Sequence, residues 1–214
     1  MYEVIVLGAT FTAAGIARKY KDDCLVIERR AQAGYEFFGA QSFDPCEGLA
    51  IYQHLKECHT LFRTEVVSVT QNGDCFVCET HSVDGFCSYE AKKVIDTRCT
   101  ADMSIAKTYN MLIKSEETPD FPNSFCQETS VKNRYVVRCA VPLDCGFGDA
   151  RLLALDIVQS FSETQRLILL ADEFDYQVKS EYPNTKNGII YLPSKAYNSP
   201  ESAFEAGLNI AEEV

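Results

Sequence analysis

An apolar run, Tyr2-Glu3-Val4-Ile5-Val6-Leu7, leads into Gly8-Ala9-Thr10-Phe11-Thr12-Ala13, where Gly8, Thr10 and Ala13 take the first, third and sixth places of a small-residue turn. Such a turn opening a helix suits an anion. The first amides of a helix have no intrahelical acceptor and carry the positive end of the dipole, and little side-chain bulk lets a phosphate reach them. Glu28 stands 20 residues beyond Gly8, at the end of a second apolar run, Cys24-Leu25-Val26-Ile27. An acid at that distance is placed for a ribose hydroxyl, and turn plus acid make the recognition pattern of a dinucleotide, here with two of its three glycines replaced. An ordinary α/β turn with small residues for helix–sheet packing has the same composition. The acid at the strand end, where binding sites gather in parallel sheets, favours a nucleotide.

The ten cysteines and three histidines carry the other candidate chemistry. Cys75 and Cys78 are three apart on an expected strand, hence on opposite faces, and no second such pair exists to complete a zinc site. No metal is expected. Cys46 follows Asp44-Pro45 ahead of an expected helix, and a helix start lowers a thiol pKa, so Cys46 is a candidate redox or catalytic thiol. Cys139 and Cys145 show no obvious partners. His54, His59 and His81 have no spacing that suggests a nucleophile–histidine–acid triad. Tyr35, Phe37, Phe38 and Phe43 cluster in one loop, as a wall against a ligand or as core.

The elements that must position these groups follow from periodicity. Strand, turn, helix to about Tyr20 and strand make a βαβ unit with parallel strands. A helix is expected over Glu47–Cys58, and strands near Leu61–Thr70, Cys75–Thr80 and Tyr89–Asp96, the first two joined at Asn72-Gly73-Asp74. Tyr109–Ser115, Phe125–Val131 and Tyr135–Val141 read as a small antiparallel insertion. A helix from Asp144 or Asp149 to about Phe161, a buried strand at Leu167–Ala171 and a strand at Gly188–Leu192 resume the α/β pattern. Ser199-Pro200-Glu201-Ser202 opens a last helix, with a capping serine, proline at the first helical place and an acid suited to the dipole.

A length of 214 residues suits one large domain or one with a small insertion, and 46% hydrophobic residues suffice for a core. The net charge of −11 repels phosphate backbones and anionic lipid, so nucleic acid and membrane are not expected partners. No stretch approaches the ~18 apolar residues that cross a bilayer. Tyr2 and Glu3 stand where a signal peptide would be basic, so a cytoplasmic location with mostly buried thiols is expected.

Three segments carry a family resemblance. Val26-Ile27-Glu28-Arg29-Arg30 with Gly34 resembles the second strand and following loop of the FAD-dependent oxidoreductases, with Tyr35 in place of a second glycine. Ala91-Lys92-Lys93-Val94-Ile95-Asp96-Thr97 resembles that family's strand returning past the dinucleotide, with Arg98 and Cys99 where threonine and glycine are usual. Asn187–Ser194 followed by Ser199–Gly207 resembles its C-terminal strand and flavin-covering helix, without the usual Gly-Asp. The resemblance implies an α/β fold: a Rossmann-like FAD-binding domain with a parallel central sheet, a β-hairpin crossover and a small antiparallel insertion. The expected boundaries are 1–103 and 146–214 for the FAD-binding domain and 104–145 for the insertion on the substrate side.

By the same resemblance, Gly8, Ala9 and the amides of Thr10, Phe11, Thr12 and Ala13 face the pyrophosphate. Glu28 takes the adenosine ribose, and Arg29 and Arg30 the adenine side. Gly34, Tyr35, Glu36 and Phe37 line the ribityl and flavin side, and Val66 or Val67 touches adenine. Thr97, Arg98 and Cys99 pass the ADP moiety, while Pro193, Ser194, Ser199, Pro200 and Ser202 approach the flavin. The implied function is an FAD-dependent oxidoreductase moving hydride or electrons between flavin and a small substrate or an electron-donor protein. The alternatives are a non-catalytic FAD- or nucleotide-binding module, such as a subunit of a larger flavoprotein complex, or a Rossmann-like remnant without ligand. The sequence assigns neither a catalytic base nor an oligomeric state.

Overall fold

The computed structural model describes residues 1–37, 45–100, 103–129, 131–179 and 182–213, with backbone alone for 45–49 and 172. The first apolar run forms β1 (Tyr2–Leu7), in which Val4 to Leu7 are buried. Burial on both faces is what a central strand of a parallel sheet requires. Helix α1 (Phe11–Tyr20) leads to β2 (Cys24–Ile27), parallel to β1 with Val4 opposite Cys24 and Leu7 opposite Ile27. Past the short α2 (Tyr35–Phe37) and helix α3 (Pro45–Leu55), β3 (His59–Leu61) adds to the far side of β2, again parallel. The helix expected at 47–58 thus starts and ends earlier.

The strand expected over 61–70 is broken. Arg63 has φ 54°, a left-handed conformation that no strand sustains, so β3 ends at Leu61 and β4 begins at Glu65. β4 (Glu65–Asn72) and β5 (Cys75–Ser82) form the hairpin expected at Gly73. β6 (Gly85–Asp96) does two jobs. Gly85 to Ala91 pair antiparallel with β5, while Ala91 to Asp96 run parallel to β1. Beyond β6 lie β12 (Ile189–Tyr191) and, at the edge, β11 (Asn184–Lys186), giving the order β11-β12-β6-β1-β2-β3. Ile5, Leu7, Leu25, Ile27, Phe76, Cys78, Ala91 and Val94 form the core between the parallel strands and the hairpin. Helix α5 (Pro200–Glu213) crosses α1 at backbone contact. A Cβ on Gly15 would overlap the carbonyl oxygen of Phe204, and one on Gly207 the carbonyl oxygen of Thr12.

A second unit is built from β7 (Ser104–Lys114), β8 (Ser124–Glu128), β9 (Arg134–Val141), α4 (Phe147–Gln159) and β10 (Arg166–Val178), with an antiparallel sheet in the order β10-β7-β9-β8. Tyr109, Met111, Ile113, Tyr135 and Val137 meet Ala150 and Ala154 of α4 in its core. The boundary differs from the expected 104–145. Residues 1–35, 45–99 and 182–213 make the first unit, and residues 36–37, 100 and the described part of 103–179 the second. The expected return of 146–178 to the parallel sheet is corrected, because β10 pairs with β7 from Arg166–Lys114 to Val178–Ser104. An unbroken apolar run cannot reveal this from sequence. Leu167, Leu170 and Phe174 face the core, whereas Ile168 and Leu169 are 44% and 47% exposed, and register shifts divide the strand. Among the described residues, no helix is long and apolar enough to cross a membrane.

Candidate nucleotide-binding site

Gly8 closes β1 with φ 94°, a conformation that favours glycine, and a Cβ there would stand 2.8 Å from Arg98 Cγ. Its N–H donates to Ile27 O (2.8 Å), which ties the turn to β2. Thr10 then caps α1. Its Oγ1 accepts from Ala13 N (3.1 Å) and donates to Thr97 Oγ1 (2.7 Å), which in turn donates to Leu7 O (2.9 Å). The threonine in the second glycine place is therefore the bolt between the turn and the end of β6. Of the first-turn amides, that of Ala13 is taken by this cap. The Thr12 hydroxyl is buried on the same turn with no hydrogen-bond partner among the described residues.

Glu28, 3% exposed, meets this turn from the end of β2. Its Oε2 accepts from Ala9 N (2.9 Å), and its Oε1 accepts from Arg30 N (2.8 Å) and Arg30 Nη1 (3.4 Å). A carboxylate offers about four lone-pair sites, so one remains after these three contacts. The Arg30 guanidinium lies 4.7 Å over the ring of Tyr35. Gly34, at φ 73°, donates its N–H to Ala9 O (2.8 Å), so the loop after β2 doubles back onto the turn. Thr64 N donates to Glu28 O (3.0 Å) and Arg63 N to Arg30 O (3.0 Å), bringing the start of β4 alongside.

The other flank is the end of β6. Asp96, buried, holds Arg98 in a fork, with Nε–Oδ1 at 2.9 Å and Nη2–Oδ2 at 2.7 Å, and also accepts Arg98 N at 3.0 Å. Burial works against the Arg98 charge, but the hydrogen-bonded Asp96, with Glu65 and Glu28 farther off, outweighs it and raises the pKa. Leu192 N donates to Asp96 O (2.8 Å) and Ser194 N to Thr97 O (3.1 Å), which places Pro193 and Ser194 beside this strand end.

Residues 8–13, 28–34, 63–64, 96–98 and 192–194 thus converge at the carboxyl ends of parallel strands, where open α/β sheets bind ligands. Val67 is 55% exposed and Val66 is taken up in the hairpin opposite Thr80. Ser199 and Ser202 cap α5 reciprocally, each side-chain oxygen taking the other's N–H, and Pro200 begins that helix. Arg29 is exposed, Cys99 is half-buried, and Glu36 and Phe37 pack with the second unit. Cys46 is on the first turn of α3, but its side chain lies outside the described residues, as do Phe38 and Phe43. Sequence reasoning missed Asp96 and Thr64. Asp96 had a signal, since it ends an apolar strand as Glu28 does and precedes Arg98 by two residues. The residues present fit the adenosine and pyrophosphate end of a dinucleotide: a turn position that only glycine can fill, a helix start beside it, and an acid at its side.

No family model matches this sequence, and no curated protein matches it in sequence. Its fold does match solved structures. The p-nitrophenol 4-monooxygenase of Pseudomonas putida DLL-E4 superposes with a TM-score of 0.63 at 11% identity, over 100% of this chain and 81% of the monooxygenase. The aklavinone-11 hydroxylase, solved as a ternary complex with FAD and aklavinone, gives 0.62 at 12% identity over 99% of this chain and 62% of its own. A geranylgeranyl bacteriochlorophyll reductase-like protein of Thermoplasma acidophilum gives 0.64 at 12% identity, over 99% and 77%. At these identities the likeness establishes the fold: a parallel central sheet with helices, and a smaller antiparallel sheet.

Proposed function

We propose that this chain, whose fold is that of the FAD-dependent hydroxylases, binds FAD and acts as an oxidoreductase on a small substrate or with an electron-donor protein. The observation that carries this reading is the Gly8 turn with the Glu28 carboxylate seated on Ala9 N at the end of the parallel sheet. Glu28 offers its remaining lone pair to the adenosine ribose, and the turn from Thr10 to Ala13 faces the pyrophosphate. Arg29 and Arg30 stand on the adenine side, and the Gly34 loop continues toward the flavin. Bound FAD supplies hydride or electron transfer, and the chain orients it and sets its surroundings. Aromatic compounds are the first substrates to test, since p-nitrophenol and aklavinone appear in the names of the similar enzymes. The described cysteines are all free thiols, which suits a reducing compartment such as the cytoplasm.

A second reading, a nucleotide-binding module without catalysis, accounts for the same turn and acid. Arg98, held on Asp96 with its Cγ beside Gly8, narrows the approach to the turn and favours instead a Rossmann-like remnant without ligand. The purified protein separates these readings. Flavin absorbance near ~450 nm, with FAD released on denaturation, supports cofactor binding. A colourless protein that takes up no FAD on reconstitution overturns both readings in their FAD form. With FAD in place, anaerobic bleaching by NADH or NADPH marks an enzyme, and failure to bleach with either marks the module.

A further inference from the structure

Cys24 opens β2, and Cys58 directly precedes β3. The two strands pair in parallel with Leu25 opposite His59 and Val26 opposite Thr60, so the ladder brings Cys24 and Cys58 level, one residue upstream. Neighbouring strands lie about 4.8 Å apart, within the roughly 4.4–6.8 Å between Cα atoms that a disulfide spans. Side chains two apart on a strand share a face. Cys58 accordingly faces the way Thr60 does, with its Sγ 3.5 Å from Thr60 Oγ1 and 3.1 Å from Leu55 O. Cys24 is fully buried and Cys58 half-buried, so one sulfur is sheltered and the other reachable.

We infer that Cys24 and Cys58 form a redox-active dithiol, in which Cys58 reacts with a hydroperoxide and Cys24 resolves the product to an intramolecular disulfide. The Cys58 thiolate attacks a peroxide oxygen; the S–O bond forms, the O–O bond breaks, and the leaving oxygen departs with a proton as alcohol or water. Sulfur loses two electrons to the peroxide. Cys24 sulfur then attacks the Cys58 sulfenic sulfur, the S–S bond forms, and hydroxide leaves with the Cys24 proton as water. The electrostatics agree with this division of roles. Hydrogen bonding from Cys24 is the main cause that lowers Cys58 to about 7, helped by Thr60 and the backbone against the opposing effects of burial and Asp22. Cys24 is raised, first by its hydrogen bond with Cys58 and then by burial. The other ionisable groups around the pair are Tyr20, which senses Cys24, and the Lys21–Glu57 ion pair at 4.0 Å, with His59 held by Tyr2. The pair sits at the amino ends of β2 and β3, whereas Glu28 lies past the carboxyl end of β2, so the inference is independent of FAD binding.

Peptide mapping of the full chain tests it. After a few equivalents of hydrogen peroxide and alkylation of the remaining thiols, a Cys24–Cys58 linked peptide lighter by two hydrogens is expected, reversed by dithiothreitol. Cys24→Ser should leave Cys58 as a sulfenic acid that dimedone traps, and Cys58→Ser should leave Cys24 a thiol. Unchanged alkylation of both cysteines in the wild-type chain, or a bridge from either one to a different cysteine, overturns the proposal whether or not the variants fold.

Discussion

Glu28 shows how one side chain joins local structure to a proposed binding role. Both of its oxygens already accept backbone N–H groups, so Glu28→Gln, which keeps the shape but replaces one oxygen with an amide nitrogen, leaves Ala9 N or Arg30 N facing a donor. A loss of about 1–3 kcal/mol in thermal or denaturant unfolding is expected, together with reduced flavin content. An unchanged melting curve would contradict the hydrogen bonds described. Thr10→Ala removes the cap of α1 at a cost of about 1 kcal/mol, and Thr10→Ser restores most of it, measured in the same way. The thiols give a pH-dependent result. Because Cys58 is lowered to about 7, its alkylation rate should rise with pH and reach half its maximum there, as the thiolate is the reactive form. Burial pushes Cys78 to about 11 and Cys139 to about 12, so both should stay slow across the same range. Mass-resolved iodoacetamide labelling reads all three together.

Elements differ in how far the sequence reveals them. β1, α1 and β2 are legible because Val4–Leu7 and Cys24–Ile27 are unbroken apolar runs separated by a small-residue turn and a ten-residue helix, and Glu28 stands where a strand ends. The 166–178 strand is not, since its apolar residues satisfy a parallel strand buried on both faces as well as the half-exposed antiparallel one that forms. The choice is made by pairing with β7, a partner distant in sequence. Arg63 likewise hides the end of one strand and the start of the next inside a run that reads as one strand. The glycines of the helices offer a paired test. Gly15 and Gly207 let α1 and α5 touch backbone to backbone, so Gly207→Ala should destabilise by about 1–3 kcal/mol as overpacking. Gly148, in α4, has open space where a Cβ would go, and Gly148→Ala should stabilise by about 0.5–1 kcal/mol. Chemical denaturation of the two variants against wild type checks both signs.

At the scale of the whole molecule, binding and stability are linked. A ligand that prefers the folded chain stabilises it by mass action, about 2.7 kcal/mol at a hundredfold excess over its Kd. FAD should therefore raise the melting temperature with concentration, ADP should do so in part through the Glu28 end, and riboflavin, lacking that end, should do least. Equal shifts for riboflavin and ADP would argue against the Gly8 turn as the anchor. The acidic charge of −11 predicts no retention on an immobilised polyanion at moderate salt. The contact of α1 with α5 and of β6 with β12 also has a temporal side. During synthesis the Gly8 turn emerges before the helix that backs it at Gly15 and the strand that flanks Asp96, both of which come from beyond residue 184. A nascent chain halted before that point displays the turn's residues without their support, so the proposed capture of a nucleotide follows the emergence of α5 rather than preceding it.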